Sequence, residues 1–224
     1  MIRSAHTSHR RTSAQKVLFA SMLVAAVACT SQGTTANNTG TMLTGDARKA
    51  QILEGRYLVI SHDCGGCHGG GSDPRSPAWL SGVRVPERDE FKVGPFTVRP
   101  KNLTPDNQTG IGRFSDRQIF NALRYGLRPE ETPDVDITST VPGQGNFPLH
   151  PHYLAVPMPW PSWRHMPDRE LWAIAAYLKD GLKPVHNVVK DSEGPPDFWA
   201  GYYVPDTIGT YPAAPFPTAN EKGN

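Results

Sequence analysis

Two thiols and an imidazole lie within five consecutive positions, Cys64-Gly65-Gly66-Cys67-His68. Three chemistries use such a grouping. A thiol–disulfide redox pair wants it in a βαβ setting, and a zinc site wants two further ligands at compatible spacing. Covalent porphyrin attachment wants the histidine directly after the second cysteine. Two thiols three positions apart can reach two vinyl groups on one side of a porphyrin, and the adjacent imidazole can reach under the ring to the iron. The flanks here read as helix and loop, not βαβ. No second cysteine pair exists, although His62 and His68 could serve a zinc ion. The pattern points to one haem c, with thioethers at Cys64 and Cys67 and His68 as the proximal ligand.

The sixth iron position has several candidates. Met158, in Pro157-Met158-Pro159-Trp160, offers a soft thioether, which raises a haem potential. Met166 abuts the start of the last helix and has less loop with which to reach back. His150, His152 and His165 would give bis-histidine ligation at a lower potential. Met158 is the expected distal ligand; ordinary core filling is its alternative. A six-coordinate iron suits an electron carrier without a reaction of its own. An open or displaceable distal site would suit a haem enzyme or a gas sensor.

These groups need helices to hold them. Asp46 to His62 carries apolar residues at mixed three- and four-residue intervals and runs into the cysteine motif. Gly55 interrupts it, as a close approach by another element would require. Residues 69–101, rich in Gly and Pro, read as a long wrapping loop that covers a cofactor. Ser115 to Leu127 reads as a helix with a Ser115/Gln118 capping box and a stop at Gly126 and Pro129. Residues 129–150 read as another loop. A last helix spans Asp168 to Lys179, with Leu171, Ile174, Ala175 and Leu178 as its core stripe. After Pro184 the chain is Pro-rich and aromatic, which suits an extended segment packed on the domain. The expected fold is mainly α: a small helical domain over 45–184 wrapped around one haem, with long loops and a 185–224 extension.

The 224-residue chain has 38% hydrophobic residues, 21 Gly and 22 Pro, so its core is thin and a cofactor would help hold it. Its N-terminus reads as a targeting segment over 1–28. Arg3, Arg10, Arg11 and Lys16 precede an apolar run from Val17 to Ala28 that is too short for a convincing membrane span. The run ends in Ala26-Val27-Ala28, an A-x-A-like cleavage site, directly before Cys29. Two readings stay open there: simple release, or lipidation of Cys29 as in bacterial lipoproteins. Residues 29–44 then read as a flexible tether. Because residues 1–28 hold four cations and no acid, removing them takes the formal charge from +2 to −2. No basic patch or motif for nucleic acid remains. The expected location is the periplasm, with membrane contact through a lipidated Cys29 as one form of it.

The helix ending in the cysteine motif, the middle helix, the Met-Pro segment and the helix with Ala175-Ala176-Tyr177-Leu178 together resemble a class I cytochrome c domain over residues 46–184. That resemblance implies that the first and last helices cross closely, with Gly55 meeting Tyr177. Asn102-Leu103-Thr104-Pro105-Asp106, Thr109-Gly110-Ile111-Gly112 and Phe114-Ser115-Asp116 are similar to the haem domains of bacterial alcohol and gluconate dehydrogenase cytochrome subunits. It implies electron transfer with a redox protein partner, a dehydrogenase or terminal oxidase. It also implies that Asn102–Thr104 and Thr109–Gly112 line the haem or its propionates. Those subunits carry several CxxCH motifs and this chain has one, so a separate single-haem carrier is the form expected here.

Overall fold

The computed structural model describes residues 44–85, 88–195 and 197–223, all within the compact unit 36–224. The targeting segment, Cys29 and the tether up to residue 43 lie outside the described residues. The element order is α1 (Gly45–Ser61), α2 (Cys64–His68), β1 (Phe91–Val93), β2 (Phe96–Val98), α3 (Asp116–Tyr125), α4 (Trp160–Trp163), α5 (Asp168–Asp180), a 3-10 turn (Ala200–Tyr202) and α6 (Pro205–Ile208). The protein is thus mainly helical, as expected. Among the described residues, no helix is long and apolar enough to cross a membrane.

The core forms where α1 and α3 pack against α5. In α5, Leu171, Ala173, Ile174, Ala175, Tyr177 and Leu178 are all buried, and they join Leu58 and Val59 of α1 with Ile119, Phe120 and Leu123 of α3. The close crossing of α1 and α5 depends on Gly55. A Cβ there would lie 1.8 Å from the Ala173 carbonyl oxygen and 2.9 Å from the Tyr177 Cβ, so only a hydrogen fits. The face that α1 turns to α5 is Gly55, Leu58 and Val59, which leaves Leu53 and Tyr57 exposed although their spacing suggested core positions. Arg48 closes the helix ends. Its guanidinium bonds Asp116 in the first turn of α3 at 2.8 Å and Asp180 in the last turn of α5.

Ser115 caps α3 as its sequence implied. Its hydroxyl accepts from the Gln118 N–H, and the Gln118 side chain accepts from the Ser115 N–H, so two otherwise orphaned donors are paired. Gly126 ends the helix in the left-handed conformation.

Residues 69–101 differ from the expected structureless loop. They contain an antiparallel hairpin pairing Phe91 with Val98 and Val93 with Phe96. A hairpin this short draws its stability from what it packs against. Arg99, next to its second strand, is buried and bonds Glu90 at 2.5 Å, Glu193 at 2.7 Å and the Asp191 carbonyl at 2.6 Å. The stretch around 185–193 therefore runs as an extended strap along 81–109. Farther on, Trp199 and Tyr203 join Val98 and Trp160 in a second apolar cluster.

The α1–α5 crossing yields a direct test. Gly55→Ala should lower unfolding stability by about 3 kcal/mol, the upper end of overpacking costs, as measured by denaturant titration of the haem-loaded protein. Leu53→Ala, on the exposed face, should stay within about 0.5 kcal/mol. Equal effects of the two substitutions would contradict this packing.

Candidate functional site

α2 is a single turn made of the five motif residues. Asp63 caps it in the left-handed conformation, at φ 51°. Gly65 allows the turn to lie against Trp79: a Cβ there would sit 2.2 Å from the indole ring. The Trp79 indole N–H in turn donates to the Tyr177 hydroxyl at 3.1 Å, which ties the motif's floor to α5. Cys64 is buried in the main core, whereas Cys67 is exposed, and both thiols are free. Burial pushes the Cys64 thiol up to about 12. The Cys67 thiol is also raised, by burial first and then by the Asp63 carboxylate. Both side chains are therefore neutral thiols at physiological pH.

After α2 the chain turns back on itself. Gly69 sits at φ 97°, and a Cβ there would lie 2.8 Å from the Ala78 carbonyl oxygen. This turn lets the Leu80 N–H donate to the Gly69 carbonyl at 2.9 Å and the Gly82 N–H to the His68 carbonyl at 2.7 Å. Residues 100–103 then run alongside, with Val83 donating to Pro100 and Leu103 donating to Leu80. That pairing delivers the Lys101 carbonyl oxygen to 2.7 Å from His68 Nδ1. A carbonyl only accepts, so Nδ1 carries the proton and Nε2 keeps its lone pair. Burial holds the imidazole below its ordinary pKa, with the Lys101 carbonyl acting in the opposite sense.

The register of residues 100–104 is fixed by the strap. Asn102 is buried; its amide donates to the Val185 carbonyl at 2.8 Å and to Thr109 Oγ1 at 3.1 Å, while its carbonyl oxygen accepts from the Thr104 N–H and hydroxyl. Asn187 donates to the carbonyls of Ser81 and Val83. Asn102 and Thr104 therefore direct their side-chain hydrogen bonds to each other, to Thr109 and to the strap, while the Thr109 hydroxyl donates to the Asp106 carboxylate and accepts from the Asn187 N–H. Lys101 was missed in the sequence because it acts through its backbone; the polar run at Asn102–Thr104 beside it was the available signal.

The candidates for the sixth position separate by environment. Met158 is half-buried and packs against both the main core and the Trp160 cluster. Met166 is also half-buried, against the main core alone. His150 is exposed; His152 is paired with Glu131; His165 is exposed and lies 5.6 Å from the Tyr211 ring. Among the described residues, no three His, Cys, Asp or Glu side chains gather as a metal site of their own. The donor set does fit a porphyrin iron: two thiols one helical turn apart and an adjacent imidazole whose Nε2 is free to ligate.

No family model matches the chain. It is 28% identical over 176 residues to the gluconate 2-dehydrogenase cytochrome c subunit of Pantoea cypripedii, covering 75% of this chain and 33% of that protein. It is 30% identical over 142 residues to the cytochrome c subunit of the quinone alcohol dehydrogenase of Gluconacetobacter polyoxogenes, covering 63% and 24%. It is 26% identical over 139 residues to the fructose dehydrogenase cytochrome subunit of Gluconobacter japonicus, covering 62% and 23%. The chain spans a third or less of the length of these relatives. It is a distant homologue of the cytochrome c subunits of bacterial gluconate, alcohol and fructose dehydrogenases.

Removing the brace should loosen the site. Asn102→Ala removes one of the two donors to the Val185 carbonyl, leaves the Thr104 N–H without its partner and should cost about 1–3 kcal/mol, read from thermal or denaturant unfolding. Lys49→Ala, at an exposed position of α1 away from this network, should stay within about 0.5 kcal/mol. A neutral Asn102→Ala would show that the strap does not hold residues 100–104.

Proposed function

We propose that this chain is an electron carrier with a single covalently bound haem c. Cys64 and Cys67 form the thioethers, His68 is the proximal ligand and Met158 the distal one. When bound, the haem supplies one-electron exchange at its iron. The observation that carries the reading is the His68 Nδ1–Lys101 carbonyl hydrogen bond, which fixes the ring's tautomer and orientation as iron-ligating histidines require. The homology to dehydrogenase cytochrome c subunits supports an electron-transfer role.

The residues divide the work. The brace from Asn102 to the strap holds the Lys101 carbonyl still, so the imidazole keeps one orientation in both oxidation states. Met158, a soft donor at the meeting of two apolar clusters, favours the reduced iron and raises the potential. Its surroundings support it over His150, His152 and His165, which lie at the surface, His152 against the Glu131 carboxylate. The partner is a redox protein, a dehydrogenase or a terminal oxidase. The chain is exported by its 1–28 segment to the periplasm, where the 45–184 domain with its packed extension works. It works there either released or, if Cys29 carries a lipid, held to a membrane through the 29–44 tether.

The reading meets two tests. A haem stain that survives boiling with reductant should be positive, and should be lost in the Cys64→Ser, Cys67→Ser double variant. Met158→Ala should remove the Met–iron absorption band and lower the midpoint potential, while Met166→Ala leaves both nearly intact. The reverse would reassign the ligand to Met166. Rapid carbon monoxide binding to the reduced wild type would replace the carrier reading with a ligand-binding one. Mass spectrometry of the mature protein should place its first residue at Cys29 and read the lipid directly.

A further inference from the structure

α4 carries a second set of polar groups that the iron site does not use. Arg164, at its C-terminal end, is buried, with 7% of its surface exposed. One arm of its guanidinium donates to the carbonyls of Ile208 and Gly209 at 2.8 and 2.9 Å. Its Nε is buried without a hydrogen-bond partner. The Trp160 indole N–H is buried too, and the Tyr203 hydroxyl, which donates to the Leu154 carbonyl, lies beside it. Both residues line one cavity of about 240 Å³, together with Arg124, Tyr125 and Tyr211.

The charge in this cavity does not balance. Arg124 is buried too, but it has a carboxylate partner in Asp168 and also donates to the Arg164 carbonyl. Among the described residues Arg164 has no acidic partner. Its compensation is limited to two carbonyls and to the rings of Trp160 and Tyr211, 5.9 and 5.7 Å from the guanidinium carbon. A buried guanidinium with one cation too many is costly unless an anion completes it. The potential is felt next door: burial, then Arg164 and Arg124, hold the His165 imidazole below its ordinary pKa. Arg164 keeps its charge in any case, because a guanidinium does not deprotonate in proteins.

We propose that this cavity is an oxyanion subsite, in which the Arg164 guanidinium, with the Trp160 N–H beside it, binds a carboxylate or phosphate group. Arg presents a planar fork matched to such oxygens, and the carbonyls of Ile208 and Gly209 aim it. Two sources supply this chemistry. One is a small free oxyanion. The other is a propionate of the haem, since α4 begins two residues after Met158 and Met158 packs on the Trp160 cluster. The propionate source rests on the haem reading given above; the free-anion source does not.

The experiment uses the full haem-loaded chain as wild type, Arg164→Gln and Arg164→Lys. Melting temperatures are measured in sodium malonate and in inorganic phosphate against chloride at matched ionic strength. Midpoint potentials are measured at one fixed pH. With a free oxyanion, malonate or phosphate raises the wild-type melting temperature saturably. Arg164→Gln then loses the response, and Arg164→Lys needs at least tenfold more salt. With a propionate, the wild type ignores both salts. The potential then falls in Arg164→Gln and, by less, in Arg164→Lys, because a negative charge that has lost its cation favours the oxidised iron. No salt response together with an unchanged potential in every variant that folds overturns the proposal. The haem stain separates this from failure of the haem reading: a negative stain in the wild type ends that reading and leaves the salt titration to decide the subsite.

Discussion

The hydrogen bond from His68 Nδ1 to the Lys101 carbonyl is the interaction around which the rest of the described structure is organised. It is 2.7 Å long and spans 33 residues of sequence. Everything between its ends serves to bring them together. The left-handed Gly69 reverses the chain, the Gly82 N–H returns to the His68 carbonyl, and residues 100–103 run beside 80–83. From outside, Asn102 and Asn187 lock that arrangement to the strap. One imidazole is thereby given one tautomer, in which Nε2 keeps its lone pair.

The helical frame answers a different need. α5 is the element against which α1 and α3 both pack, and its small residues let them come close. Ala173 meets Gly55 backbone to backbone, while Tyr177 reaches across to Trp79 and so to the turn that carries the cysteines. The same helix therefore stabilises the core and supports the motif. Lys179, near its end, donates to the carbonyls of Gly112 and Phe114 and anchors the approach to α3.

Much of this was legible in the sequence, where a side chain or a local rule carried the signal. The cysteine and histidine spacing named the chemistry, Ser115 with Gln118 announced the start of α3, and the interrupted helix around Gly55 announced a close crossing. What was not legible depended on the backbone or on distant partners. Lys101 acts through its carbonyl, which any residue possesses. The hairpin at 91–98 has strands of three residues each, and Arg99 ties it to Glu193 nearly a hundred positions away. Leu53 and Tyr57 are apolar and helical in spacing, yet the crossing at Gly55 sets which face of α1 is covered. The polar run from Asn102 to Thr109 was noticed, but its partners in the strap were not legible, because they lie some eighty residues on.

That separation has a bearing on how the molecule is made. Asn102 meets Val185 across 83 positions and Ser81 meets Asn187 across 106, whereas the α2 turn and its return to Gly82 close within twenty residues. Short loops close before long ones reward their entropy cost. In a chain synthesised from its N-terminus, the cysteines and His68 are therefore shaped by local turns well before the residues that brace Lys101 exist. The motif passes through a stage in which it is formed but not yet locked, and the strap acts as the last fastening.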